Sequence, residues 1–384
     1  MYSKRVVFWS ACLGMLLFGI ALITLGSIAP DLKEKLNLND IAAGTLFSIL
    51  PLGIMTGSLV FGPVADKYGY KILMAVSCIS LAAGFEGLAF ASSLGLLKAF
   101  IFLIGFAGGT VNGATNALVS DISGHDKTAN ISLLAVFFGI GALGMPLILG
   151  ILGKSLRFEK IVASVGILSF LTGIIFIVIK LPAPKIAQKI PVEGIIAFFK
   201  DKVLILIAFF LFFQSSFEGI MNNWTTTYLT DHVSVLQNEA LYGLTLFVAG
   251  MVIMRLLTGT VLKYIPVRKI LIASLVFILL GLICIRSGIS IEVALMGFML
   301  VGAGLAGGFP VMLGFVGARY EKLSGTAFSF VLTIALIGNM LINYGMGIIS
   351  QKYGISHLMT VAFVMTIIMA LIGIVIMKNL KINK

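Results

Sequence analysis

Glu218 stands where a carboxyl group is costly. It lies about fifteen residues into an apolar run long enough to cross a bilayer, close to the midpoint. An ionisable side chain at that depth faces a cavity or a partner and marks a path for a solute or a proton. A low dielectric favours the neutral form of an acid, so such a group can take up a proton, accept a hydrogen bond from a hydroxyl, or do both. Gln214 and Asn222 stand four residues to either side and share its helix face, and Asn223, Trp224 and Tyr228 follow within two turns. Amides and a carboxylate beside aromatic rings suit a neutral polyhydroxylated molecule, which needs a few fixed donors and acceptors and an apolar platform. Two more amide pairs recur at the same spacing, Asn112 with Asn116 and Asn339 with Asn343. The alternative for all of these is structural: a neutral acid bonded to a neighbouring helix, and buried amides bridging helices.

The elements that must hold these residues follow from composition. The chain has 384 residues, 59% of them hydrophobic and only 11% charged, against about 25% charged in a soluble domain. No water-soluble core absorbs that much apolar surface. The apolar residues come in runs of helix-spanning length, and lipid offers no partner to free backbone groups, so the runs must be helices. They are expected at 6–29, 41–65, 72–91, 96–120, 129–152, 160–180, 203–229, 240–263, 269–287, 291–318, 325–350 and 357–377. The chain is therefore read as an all-α membrane protein with twelve transmembrane helices. Lys4 and Arg5 before the first run imitate a secretion leader, but the run is long, and Ser27 and Ala29 precede Pro30, which disfavours cleavage; it is read as a retained helix.

The net charge of +12 does not indicate nucleic acid, because the basic residues sit in alternate loops without like-charge blocks. Eighteen of the 27 lysines and arginines fall on the termini and even-numbered loops and eight on the other side. That bias puts both termini in the cytoplasm of a bacterial inner-membrane protein. Cys12, Cys78 and Cys284 lie in apolar runs far from one another and are read as packing thiols, with no metal and no cofactor implied.

The polar stretch 181–202, with Pro182, Pro184 and Pro191, divides residues 1–180 from 203–384. The two halves resemble copies. Gly53–Gly62 leading into Pro63–Lys71 is echoed 197 residues later by Gly250–Gly259 leading into Thr260–Arg268, and Gly105 with Ala107 is echoed by Gly302 with Gly304 at the same offset. Parallel repeats of this kind predict two pseudo-symmetric six-helix bundles.

The run Gly62-Pro63-Val64-Ala65-Asp66-Lys67-Tyr68-Gly69-Tyr70-Lys71 resembles the loop signature of the major facilitator superfamily, with Tyr70 where a basic residue is usual. There Gly62 would let helices approach closely and Gly69 would permit a tight turn. The resemblance implies a cytoplasmic gate of Asp66, Lys67 and Lys71, with Asp121 as a further member. The seventh run, from Phe210 to Leu229, is similar to a pattern of the fucose–proton symporter and glucose/mannose permease families, keeping Glu218, Trp224, Tyr228 and Leu229 at its spacing. Phe137–Pro146 and Gly307–Pro310 also resemble those permeases. The likeness implies a monomeric, non-enzymatic secondary transporter that binds a monosaccharide at the residues above, with Glu218 coupling a proton. Two positions depart from the symporters: Asn112 stands where they carry a glutamate, and the first helix contains no acid. Arg255 is expected to reach the cytoplasm or to pair across the halves, and Glu86 to be neutral or bonded at a helix interface. Export of drug-like compounds or metabolites, and a non-transporting sugar sensor, are the alternative readings.

Overall fold

Among the described residues, twelve spans are long and apolar enough to cross a membrane. The computed structural model describes residues 2–123, 127–182, 198–260, 265–320 and 324–379, without the side chains of 63, 66, 127–129, 258–260 and 324–326. No strand occurs among them. The chain divides into two compact units, residues 1–189 and 190–384, with six spans each. The core of the proline-bearing stretch between the halves lies outside the described residues. Its last residues belong to the second unit: Phe198 is buried, with its ring 5.1 Å from that of Tyr320 and 5.8 Å from that of Phe330.

In the first unit the spans are Lys4–Ser27, Asp40–Tyr68, Tyr70–Phe90, Leu94–Ile122, Lys127–Leu152 and Phe158–Val178. The second and fourth pack along their length because glycines bring backbone onto backbone. A Cβ at Gly57 would stand 2.0 Å from the Phe106 carbonyl oxygen, and one at Gly105 would stand 2.4 Å from that of Leu50. In the second unit the eighth span, Gln237–Thr260, crosses the tenth in the same way. A Cβ at Gly250 would lie 2.1 Å from the Met299 oxygen, and one at Gly302 1.9 Å from that of Phe247. Gly105 and Gly302 are partners in the 197-residue repeat, and so are Gly53 and Gly250. The repeat legible in the sequence is thus a repeated crossing.

Gly62 has a different role from the one its position in the loop signature suggested. A Cβ there would meet nothing within 4 Å, because the close approach occurs more than a turn earlier, at Gly53 and Gly57. Gly69 behaves as expected: at φ 78° it turns the chain between the second and third spans, a conformation glycine adopts without penalty.

Two helical features lie beyond the sequence reading. Between the first and second spans runs a short helix, Ala29–Leu36, opened by Pro30 in its first turn and closed by Asn37 at φ 50°. Lys35 ties it to the unit, donating to the Ala89 carbonyl at 2.7 Å and pairing with the buried Glu159 at 3.4 Å. The tenth span, expected as one helix, is two: Ile291–Leu305 and Gly308–Arg319. Pro310 has no N–H to offer the preceding turn, and Gly307 and Gly308 are poor helix formers, so the ladder breaks there.

At one end of the second unit Asp201 caps the seventh span, Lys202–Asp231, accepting from the N–H groups of Val203 at 2.9 Å and Leu204 at 3.4 Å. It also accepts from Arg319 Nε and from the Tyr320 hydroxyl. Burial works against the Asp201 charge, but the bonds from Arg319, Tyr320 and the two N–H groups outweigh it and hold the carboxyl below the usual range. An acid so depressed stabilises the fold above its unfolded value of about 4, and that contribution disappears as pH falls through the folded value. Asp201→Asn keeps the cap and loses the charge. It is expected to melt lower than the parent at neutral pH by the equivalent of about 1 kcal/mol. The gap should close as thermal melts in detergent are repeated below about pH 4.

Candidate functional site

The seventh span carries polar residues on two adjacent stripes, each with four-residue spacing, and each stripe meets different neighbours. Gln214, Glu218 and Asn222 form the first. Gln214 is wholly buried and donates from Nε2 to the Leu305 carbonyl at 2.8 Å. That carbonyl stands at the break in the tenth span, so the amide supplies a hydrogen bond where the helix ends. Gly308 leaves the room: a Cβ there would lie 1.9 Å from Gln214 Oε1.

One turn on, Glu218 meets Arg255 of the eighth span. Arg255 Nη2 stands 3.3 Å from Oε2 and 3.5 Å from Oε1. The Glu218 side chain is 15% exposed and that of Arg255 is 32% exposed. Arg255 supplies a counter-charge to Glu218 inside its own unit. A lone charge in an apolar span is prohibitive and a pair is tolerable, which is why the two occur together. Asn222, another turn along, is buried, and its Oδ1 has no hydrogen-bond partner among the described residues.

The second stripe is Ser215, Gly219 and Asn223, and it faces the eleventh span, Ser324–Tyr353. Asn223 Nδ2 donates to Asn343 Oδ1 at 3.1 Å; Asn343 Nδ2 donates to Asn339 Oδ1 and to the Asn339 carbonyl, both at 2.9 Å; and Asn339 Nδ2 donates to the Ser215 carbonyl at 2.9 Å. The result is a chain of amides zipped between two helices. Gly219 makes the space for it, since a Cβ there would stand 2.5 Å from Asn339 Nδ2. Ser215 and Gly219 are the members that sequence reasoning missed. The available signal was their four-residue spacing with Asn223, a small-small-polar stripe beside the one headed by Glu218. Trp224 is wholly buried, and the ring of Tyr228, 4% exposed, lies tilted against that of His232 with centroids 5.1 Å apart.

Eight of the ten expected binding residues belong to the second unit. Asn112 and Asn116 belong to the first, half-buried on the fourth span, where Asn116 Nδ2 donates to the Asn112 carbonyl at 2.9 Å and to its Oδ1 at 3.2 Å. Among the expected gate residues, the Asp66 side chain lies outside the described residues. Lys67 is exposed with its ammonium 5.0 Å from the centre of the Tyr68 ring, and Lys71 is exposed. Asp121 accepts from the Tyr70 hydroxyl at 2.8 Å, so the tyrosine that departs from the loop signature is what holds the acid. Glu86 is half-buried on the third span and faces the sixth, where a Cβ at Gly166 would lie 2.6 Å from its Oε1. No group of three or more metal-ligating side chains occurs among the described residues.

Comparison with known proteins gives this architecture a context. The Major Facilitator Superfamily model matches residues 11–244. The glucose/mannose transporter GlcP of Bacillus subtilis (strain 168) is 26% identical over 373 residues, covering 93% of this chain and 90% of that protein. Among solved structures, the nucleoside transporter NupG superposes with a TM-score of 0.79 at 16% identity, covering 99% of this chain and 100% of that one. A D-xylose–proton symporter superposes with a TM-score of 0.79 at 13% identity, covering 96% of each. At these identities the two structures speak to the fold.

Proposed function

The chain belongs to the Major Facilitator Superfamily, and from that premise we propose that it carries a neutral monosaccharide, a hexose, inward across the bacterial inner membrane together with a proton. A multi-pass membrane transporter for a small molecule follows from the family and the spans. The sugar and the proton rest on the seventh span, and one observation carries them: an acid–guanidinium pair next to a buried amide oxygen that lacks a donor. A sugar hydroxyl is a donor of the right kind for Asn222 Oδ1, and pairing it removes the cost of leaving that oxygen bare. The amide chain from Asn223 to Ser215 holds the stripe beside it in one geometry. The name of the Bacillus relative, a glucose/mannose transporter, points the same way.

The proton enters the scheme through the pair. A proton arriving on a Glu218 carboxylate oxygen removes the negative charge that holds Arg255, and the seventh and eighth spans lose their ionic tie. Deprotonation restores it. Protonation is thereby coupled to a contact between two helices, the kind of bistable element that a proton-driven carrier requires.

Counterflow in proteoliposomes tests the sugar. Vesicles loaded with unlabelled glucose or mannose are expected to draw in radiolabelled hexose transiently, and a pH-sensitive dye should report proton entry with the sugar. Binding without exchange would make the protein a sensor. Absence of counterflow with every hexose tried would end the sugar reading and favour the export of another solute.

A further inference from the structure

The second unit contains a cavity of about 410 Å³ between its seventh, ninth, tenth and twelfth spans, a size typical of small-molecule sites. It shares Gln214 with the Glu218 stripe, but neither Glu218, Asn222 nor Arg255 lines it. The ninth span is Val267–Arg286 and the twelfth is Leu358–Asn379. The corresponding helices of the first unit pack more closely. There the third and sixth spans pack along their length, with Gly166 against Glu86 and Gly173 against Ala75 and Ile79. The ninth and twelfth spans meet far less. A Cβ at Gly373, on the face turned inward, would find only the Phe210 ring, at 3.6 Å.

The walls are almost wholly apolar, and two wall residues, Ile272 and Ile374, are 52% and 53% exposed. No described part of the chain covers them, so the cavity opens on the unit's membrane-facing flank. The mouth is charged with one sign. Arg268 and Lys378 both line it, both are exposed, and no lining residue is acidic. Arg268 is the second residue of the ninth span and Lys378 the penultimate residue of the twelfth. Three further crossings separate the start of the one from the start of the other, so the two cations stand at the same membrane surface. The ninth span begins there with no side-chain cap among the described residues, and the positive end of its helix dipole adds to the two cations.

We infer that this cavity holds an acyl chain of an anionic phospholipid from the bilayer, with its phosphate at Arg268 and Lys378. Charge at the surface end and hydrocarbon beneath it match that molecule along its length. A soluble anion would leave the apolar interior unfilled, and a zwitterionic lipid would gain little from the two cations.

Native mass spectrometry of the detergent-purified full chain tests this. Dioleoyl phosphatidylglycerol is titrated against dioleoyl phosphatidylcholine, which has the same chains. The parent is expected to prefer the glycerol lipid. Arg268→Gln with Lys378→Gln, both changes on exposed side chains, should erase the preference, at roughly fivefold in affinity for each cation removed. Dihexanoyl phosphatidylglycerol should bind much more weakly than the dioleoyl lipid, and Ala370→Phe, which fills the cavity, should weaken both long-chain lipids. Equal affinity for the two headgroups, or a preference that survives loss of both cations, would overturn the assignment. So would short-chain lipid binding as tightly as long, or competition by inorganic phosphate, since either places the ligand at the surface alone.

Discussion

Glu218→Gln is expected to collapse proton-driven accumulation of the solute to an inside-to-outside ratio of about one, the value for a carrier with no coupling free energy. Exchange between labelled and unlabelled solute should persist, because it requires no net proton movement. The neutral amide leaves Arg255 without a counter-charge, so the single variant should also lose stability. Arg255→Ala should do the same from the other side. Removing one partner of a poorly solvated pair costs about 3–5 kcal/mol, reduced here by the partial exposure of Arg255. The double variant Glu218→Gln with Arg255→Gln separates the effects. It is expected to melt within about 1 kcal/mol of the parent, since both charges are gone, and still to exchange without accumulating. Accumulation that survives in either glutamine variant would remove Glu218 from the proton path.

The second large effect is purely steric. Gly302→Ala and Gly57→Ala each place a methyl within about 2 Å of a backbone carbonyl oxygen on the crossing helix. Backbone cannot rotate aside as a side chain can, so two spans must separate. Each substitution is expected to cost about 3 kcal/mol or more, read as a fall in folded yield and melting temperature in detergent. Gly62→Ala is the control, with open space around its new methyl and the helix propensity of alanine in its favour by up to about 1 kcal/mol. If all three variants melt alike, the glycine crossings do not hold the bundles together.

These contrasts show what the sequence made visible. Span number follows from hydropathy, because lipid imposes the same requirement on every span. The recurring offset located the crossing glycines, since close helix approach needs the same small residue in both copies. The partners of the polar residues were less legible. Glu218 stood out through its depth, but nothing in the chain order links it to Arg255, 37 residues away on the next span. The spacing of 214, 218 and 222 suggested one binding face, whereas the residues on it turn to different neighbours, and the amide chain lies on the stripe beside it. Gln214 bonds a helix break that hydropathy cannot register, because both pieces of the tenth span are apolar. Helical spacing reports which side chains share a face; it does not report what that face meets.

That break carries a consequence of its own. The helix does not continue past the Leu305 carbonyl, and a single amide on another span supplies its bond. Below this point the segment Gly308–Arg319 ends in the residue that grips Asp201, at the head of the same span that bears Gln214. The seventh span thus holds the tenth on both sides of the break: Gln214 bonds the end of Ile291–Leu305, and Asp201 takes Arg319 at the end of Gly308–Arg319. Losing the Gln214 bond would free the joint while the Arg319 end stays moored to Asp201.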